Sequence, residues 1–204
     1  MELKDRFIIL KKLKFGEADL IVHALSPRGE KMSFIARGAM KSKKRFGGGI
    51  LEPSHFVQFT YKESKPVSVG GLKTLTEATL LNDFKNVRSD YDRLELALHI
   101  LECTARVSQE GDQNSASLFN LLGNSLAALE TAENISLLKL LFNLKFLSQQ
   151  GVLTIENWME PFLGLNIGGV NDLSENRFAK RAAEVHLSQI DFVISNYIKT
   201  AEHH

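Results

Sequence analysis

The sequence predicts an α+β chain, a small barrel of five strands followed by an α-helical domain, on three observations. Short runs rich in β-branched and aromatic residues, separated by Gly, Pro and charged turns, fill the first 80 residues. From Arg88 onward the apolar spacing changes to the 3.6 period of helices. The charge changes at the same place: residues 1–80 hold 15 Lys and Arg against 8 Asp and Glu, and residues 81–204 hold 10 against 16. The net charge of +1 is therefore a near-cancellation of +7 and −6. Such asymmetry points to one domain for a polyanion and another for something else. The expected division is a barrel over residues 1–82 and helices over 83–204.

The strands are expected at Arg6–Phe15, Leu20–Leu25, Lys31–Arg37, His55–Tyr61 and Pro66–Leu81. Ser26-Pro27-Arg28-Gly29 turns between the second and third. Gly70-Gly71 reads as a bulge or a tight bend within the fifth. Five short antiparallel strands in this length fit an OB-fold, and an SH3-like barrel has the same count.

The first helix is expected to start at a capping pair, Ser89 with Asp92, and to run to about Ser108 with Tyr91, Leu94, Leu98, Leu101, Ala105 and Val107 as its apolar line. A turn at Gly111–Asn114 ends it. The second helix, Ser115 to about Thr131, carries Leu118, Leu121, Leu122, Leu126 and Leu129. The third runs from an Asn134 cap to Gln150 and stops at Gly151, a residue suited to the left-handed region. It is apolar nearly all round, the mark of a central helix, with Lys139 and Lys145 as its charges. Residues 151–176 read as loop, and two further helices are expected at 176–186 and 189–199.

Several chemistries are set aside by what the sequence lacks. Cys103 is the single cysteine, so no internal disulfide, no zinc site built from cysteine pairs and no CxxC motif can form, and a small apolar role on a buried helix face is expected for it. No GxxxxGK[ST] accompanies Gly47-Gly48-Gly49, and no HExxH or paired histidine spacing involves His23, His55, His99 or His186. His203 and His204 read as tag residues outside any metal argument. No apolar run approaches the roughly 20 residues of a membrane span, and the N-terminus opens on Glu2, Lys4, Asp5 and Arg6, so a cytoplasmic protein is expected. No catalytic constellation is legible, and a non-enzyme is expected.

The most informative segment is RGAMKSKKRF, which sets Arg37, Lys41, Lys43, Lys44 and Arg45 within ten residues and ends on Phe46. Single-strand binders need positive charge to track phosphates and an aromatic face on which bases stack. A solvated loop whose charge serves only solubility accounts for the same residues.

Two longer stretches resemble a known family. FGEADLIVHALSPRGEKMSFIARGAMKSKKRFGGGILEP, from Phe15 to Pro53, is similar to the N-terminal domain of RecO proteins, and LTEATLLNDFKNVRSDYDRLELALHILEC, from Leu75 to Cys103, is similar to that family's passage from barrel to first helix. Beyond about 90 residues only a helical pattern is shared. The resemblance implies an OB-fold joined to a helical domain, which binds single- and double-stranded DNA and anneals complementary strands without enzymatic turnover. It implies work with a RecR ring to load the recombinase onto strands coated with single-strand DNA-binding protein, whose acidic tail docks in the helical domain. By matching positions it implies DNA contact by Arg37, Lys41, Lys43, Lys44, Arg45 and Phe46, and a tail-docking role for Lys139. Many members carry four zinc-binding cysteines after the third helix, and 151–169 has none here, so no zinc or other cofactor is expected. An adaptor that binds RecR and the single-strand binding protein with little DNA affinity, and an RNA-binding OB protein, are the alternatives.

Overall fold

The first strand is long enough to be used twice, and that closes the barrel. β1 (Glu2–Phe15) pairs along its first half with β4 (Phe56–Lys62) and along its second half with β2 (Asp19–Leu25), with Ile8 opposite both Phe56 and Leu25. A register shift between Ile9 and Lys11 marks the bend, where an extra residue sharpens the local twist. β3 (Lys31–Ala36) pairs antiparallel with β2, and β5 (Lys73–Asn82) pairs antiparallel with β4 and parallel with β3 at Phe34–Lys73 and Ile35–Thr74. The strand order around the closed barrel is β1-β2-β3-β5-β4, which is the OB-fold order. This computed structural model describes residues 2–63, 71–112 and 115–201. The expected strand start at Pro66, Gly70 of the glycine pair, the end of the 111–114 turn, and His203 and His204 lie outside the described residues.

Alternation along the strands puts Phe7, Ile9, Val22, Ala24, Phe34, Val57, Phe59 and Tyr61 inside the barrel. Four rings make its centre: Phe7 lies 5.1 Å from Phe34 and 5.3 Å from Phe59, and Tyr61 lies 5.2 Å from Phe34. Edge-to-face and offset contacts of this kind favour one arrangement of the core over others. The connection from β3 to β4 adds Ala39, Phe46 and Leu51 to the same core.

The helices are α1 (Tyr91–Val107), α2 (Ala116–Thr131), α3 (Ile135–Gln149), the short α4 (Glu160–Gly164) and α5 (Arg177–Thr200). Two compact units result: residues 1–83 with 108–119, and residues 84–107 with 120–204. Residues 108–119, expected among the helices, cluster with the barrel; Lys31 donates its N–H to Gln109, and Ser115 donates to Arg28. In the second unit α3 is central, with Leu137, Leu138, Leu140, Leu141, Leu144, Leu147, Phe142 and Phe146 all buried. Asn134 caps it by accepting from the Leu137 N–H, and Gly151 follows at φ 69°.

Four local expectations are corrected. Asp90, not Ser89, caps α1, accepting from Arg93 N–H, while the Ser89 hydroxyl turns back to the Asn86 carbonyl. The buried face of α1 is Leu96, Ala97, Ile100, Leu101, Cys103 and Thr104, whereas Tyr91 and Leu98 are exposed. A broad apolar stripe leaves the choice of face to the packing partner; of the expected apolar line only Leu101 is on the buried face, together with Cys103, for which a buried helix face is also the expectation. The 151–176 stretch contains α4 and 3-10 turns at Asn157–Met159 and Ile167–Leu173. The last two helices are one, because Leu187 and Ser188 interrupt nothing once Ala183, Ile190 and Ile194 lie on one buried face.

Candidate nucleic-acid interface

The basic segment leaves β3 at Arg37 and is fastened at several points. Gly38 (φ 66°) donates its N–H to Asp19 Oδ1 at 2.7 Å, and Met40 donates to the Ala18 carbonyl at 2.9 Å, tying the segment to the β1–β2 turn. Ala78 of β5 donates to the Arg45 carbonyl at 3.3 Å. Gly47 closes the turn: a Cβ there would sit 2.2 Å from the Lys43 carbonyl oxygen, so no larger residue fits without moving backbone. Between these ties Arg37, Lys41, Lys43, Lys44 and Arg45 are all exposed. The Arg45 guanidinium lies 5.2 Å over the Phe46 ring and donates to the Arg37 carbonyl.

Phe46 itself is only 5% exposed and belongs to the barrel core. The expected stacking role is corrected: the ring plugs the barrel, because burying that much apolar surface outweighs leaving it beside the charges. It anchors the cations instead of presenting a face to bases. Beside it opens a cleft of roughly 540 Å³ whose walls include Met40, Ser42, Gly48 and, from β1, Lys12 and Lys14. Lys12 pairs with Glu52. The β1 lysines were not singled out from the sequence, although KKLKF at 11–15 carries the charge alternation that could have found them.

Lys139 is brought to a different arrangement, within the helical unit. Its ammonium is held by Asp191 Oδ2 at 2.7 Å, and Asp191 Oδ1 accepts from Asn143 Nδ2 at 2.7 Å. Asn143 therefore offers its Oδ1 to His99, 2.8 Å away, so His99 Nε2 carries the proton. Burial holds the His99 pKa below its ordinary value. Burial also pushes the Cys103 thiol up to about 12, in keeping with a side chain that is 0% exposed. The groove next to Lys139 is walled by Asp92 and Glu95 as well as Leu96 and Leu187. An acidic ligand would meet these carboxylates and would compete with Asp191. Lys145 does not share that groove and donates to the Leu163 carbonyl at 3.0 Å. Among the described residues no group of three His, Cys, Asp or Glu is placed to hold a metal ion, and no helix is long and apolar enough to cross a membrane.

A closed OB barrel bearing an exposed run of cations on its β3–β4 connection, followed by a helical unit, defines an OB-fold protein of α+β class. The family described as Recombination protein O matches over both parts, its N-terminal domain at residues 1–84 and its C-terminal domain at 88–154. The chain belongs to the RecO family. It is 34% identical over 151 residues to the DNA repair protein RecO of Maridesulfovibrio salexigens, covering 74% of this chain and 59% of that one. It is 30% identical over 154 residues to the protein of the same name from Alkaliphilus metalliredigens, with 74% and 59% covered, and 33% identical over 146 residues to that of Desulfatibacillum aliphaticivorans, with 71% and 55% covered. The chain thus spans less than three fifths of the length of these relatives.

Proposed function

We propose that this chain acts as a cytoplasmic mediator of DNA repair and homologous recombination. It binds single- and double-stranded DNA through the barrel, anneals complementary strands, and with RecR helps load the recombinase onto DNA coated with single-strand binding protein. The observation that carries this reading is the fastened, exposed row of Arg37, Lys41, Lys43, Lys44 and Arg45 beside the barrel cleft. Cations held in place lose less freedom on meeting phosphates than cations on a mobile loop. Membership of a family whose relatives bear the name DNA repair protein supports the same reading. The barrel and the helical unit divide the work: the first takes DNA, the second takes protein partners, and no turnover of a substrate is required. The tail of the single-strand binding protein is assigned to the helical unit as a whole; Lys139 is left out of its site because Asp191 already holds the ammonium.

The test measures annealing of two complementary oligonucleotides coated with single-strand binding protein, with the wild type and with Lys43→Ala, Lys44→Ala and Arg45→Ala combined. We expect the wild type to accelerate annealing and the triple variant to lose most of that effect while keeping its melting temperature. If all five cations touch phosphates, single-strand affinity falls with a log-log salt slope of about −3.5. Equal DNA affinity of the triple variant at low salt would sink the assignment.

A further inference from the structure

With Phe46 committed to the core, the ring that meets bases has to come from elsewhere in the first unit. Phe7, Phe34, Phe59 and Tyr61 are buried, and Phe56 packs on Phe119 at 6.3 Å. Phe15, the last residue of β1, is 51% exposed, and Leu13, two residues before it on the same face, is 41% exposed. The strand register extends this face across the sheet. Leu13 is opposite Ile21 and Ile21 is opposite Ile35, so apolar side chains run over β1, β2 and β3 on the outer side of the strands, Leu13 exposed, Ile21 half-buried and Ile35 buried. At one end of the patch, Lys11 is opposite His23, and His23 is opposite Ser33. That end is taken: Ser33 donates to Glu110 Oε1 at 2.8 Å and holds His23 Nδ1 at 2.9 Å. The other end is open and belongs to Phe15.

The open end leads directly into the cations. Phe15 is opposite Asp19, and Asp19 accepts the Gly38 N–H, so the ring stands one strand pair away from the start of the basic segment. That hydrogen bond occupies one of the two carboxylate oxygens of Asp19, Oδ1. Arg37 lies immediately before Gly38 and is exposed, whereas Lys14, next to Phe15 in the chain, turns to the opposite face of β1 and lines the cleft beside Phe46. An apolar face with one open ring, which leads at one margin to Arg37 and the basic segment, matches a chain of bases with phosphates along its edge. A duplex does not match it, because its base faces are already stacked within the helix.

We propose that Phe15, seated on the Leu13–Ile21–Ile35 patch, is a base-stacking platform that gives the barrel its preference for single-stranded over duplex nucleic acid. This rests on the reading that the barrel binds DNA. The phosphates follow Arg37 and Lys41 from the platform into the basic segment, and the ring holds the base of the nucleotide that arrives there.

The test compares wild type, Phe15→Ala and the Lys43, Lys44 and Arg45 triple alanine variant for binding to labelled oligo(dT) and to a duplex of equal length at low salt. Loss of one stacked base predicts a roughly 5- to 150-fold weaker single-strand affinity for Phe15→Ala, with duplex affinity within about twofold of wild type. The triple variant should weaken both. A second variant, Phe15→Trp in a Trp158→Phe background, carries a single indole and should keep single-strand affinity, its fluorescence falling when oligo(dT) binds. This measurement stands even where the alanine variant folds poorly. Single-strand affinity unchanged in Phe15→Ala while the triple variant loses it overturns the platform and leaves the DNA reading intact. Equal losses on strand and duplex, or an indole that does not respond while oligo(dT) is bound, also overturn it. Wild type that binds neither form removes the DNA reading and the platform together.

Discussion

Removing the Phe46 ring should cost about 3–5 kcal/mol of stability, the usual range for deleting a buried aromatic side chain, because the ring fills the end of the barrel with Ala39 and Leu51. Urea unfolding of Phe46→Ala checks this, and a loss under about 1 kcal/mol would mean that the ring is not packed as described. The same substitution loosens the anchor of five exposed cations, so DNA affinity should fall with stability, unlike in the Lys43, Lys44 and Arg45 variant. From sequence, Phe46 reads as a stacking residue because it follows four basic residues in five positions. Adjacency in sequence does not say which way a ring turns. Phe15 shows the converse, an aromatic at the end of a strand that stays in solvent. Its exposure follows from the barrel's closure, which buries the inside of β1 and leaves this part of the outside open.

The helices owe their ends to short-range chemistry. Asn134 and Asn176 each accept an N–H from three residues ahead, Leu137 and Ala179, and Gly151 takes the left-handed conformation after α3. Asn134→Ala should cost about 1 kcal/mol, read as a lowered denaturant midpoint with an unchanged slope. A change within error would show that the packing of α3 alone sets its start. These signals involve neighbours within a single turn, which is why they are legible from sequence. The face of α1 was not, since Tyr91, Leu94 and Leu98 are as apolar as Leu96, Ile100 and Leu101. Which set is buried depends on what packs against it, and α3 lies far along the chain. Arg93 helps settle it: besides Asp90 it donates to the carbonyls of Leu129 and Ala132, so its side of α1 is spoken for.

At the scale of the molecule, charge is sorted by unit, and each unit is sensitive to a different solvent variable. The barrel unit should respond to salt through its exposed cations. The helical unit should respond to acid through the chain His99–Asn143–Asp191–Lys139, which links α1, α3 and α5. Burial lowers the His99 pKa, with Lys139 acting in the same direction, while the bond to Asn143 and the charges of Asp191 and Glu102 raise it. The unfolded chain therefore takes up a proton near pH 6.5 that the folded chain still refuses. The stabilisation is present above about pH 6.5 and is lost as pH falls through the lower folded pKa. His23 is lowered too, first by burial, so the His99 share is read by difference: His99→Gln should lose less melting temperature between neutral and mildly acidic buffer than wild type does. Identical losses would rule out His99 as the acid-sensitive group. By itself, the sequence determined the barrel, the change to helices, the Asn134 cap and Gly151 stop of α3 and the cluster of cations, because period, turn chemistry and charge are properties of residues close together in the chain. Only the tertiary structure decided that Phe46 faces inward, that Phe15 faces out and that Lys139 is engaged with Asp191, 52 residues away. Burial and ion pairing are settled by partners distant in sequence, and no local pattern encodes them.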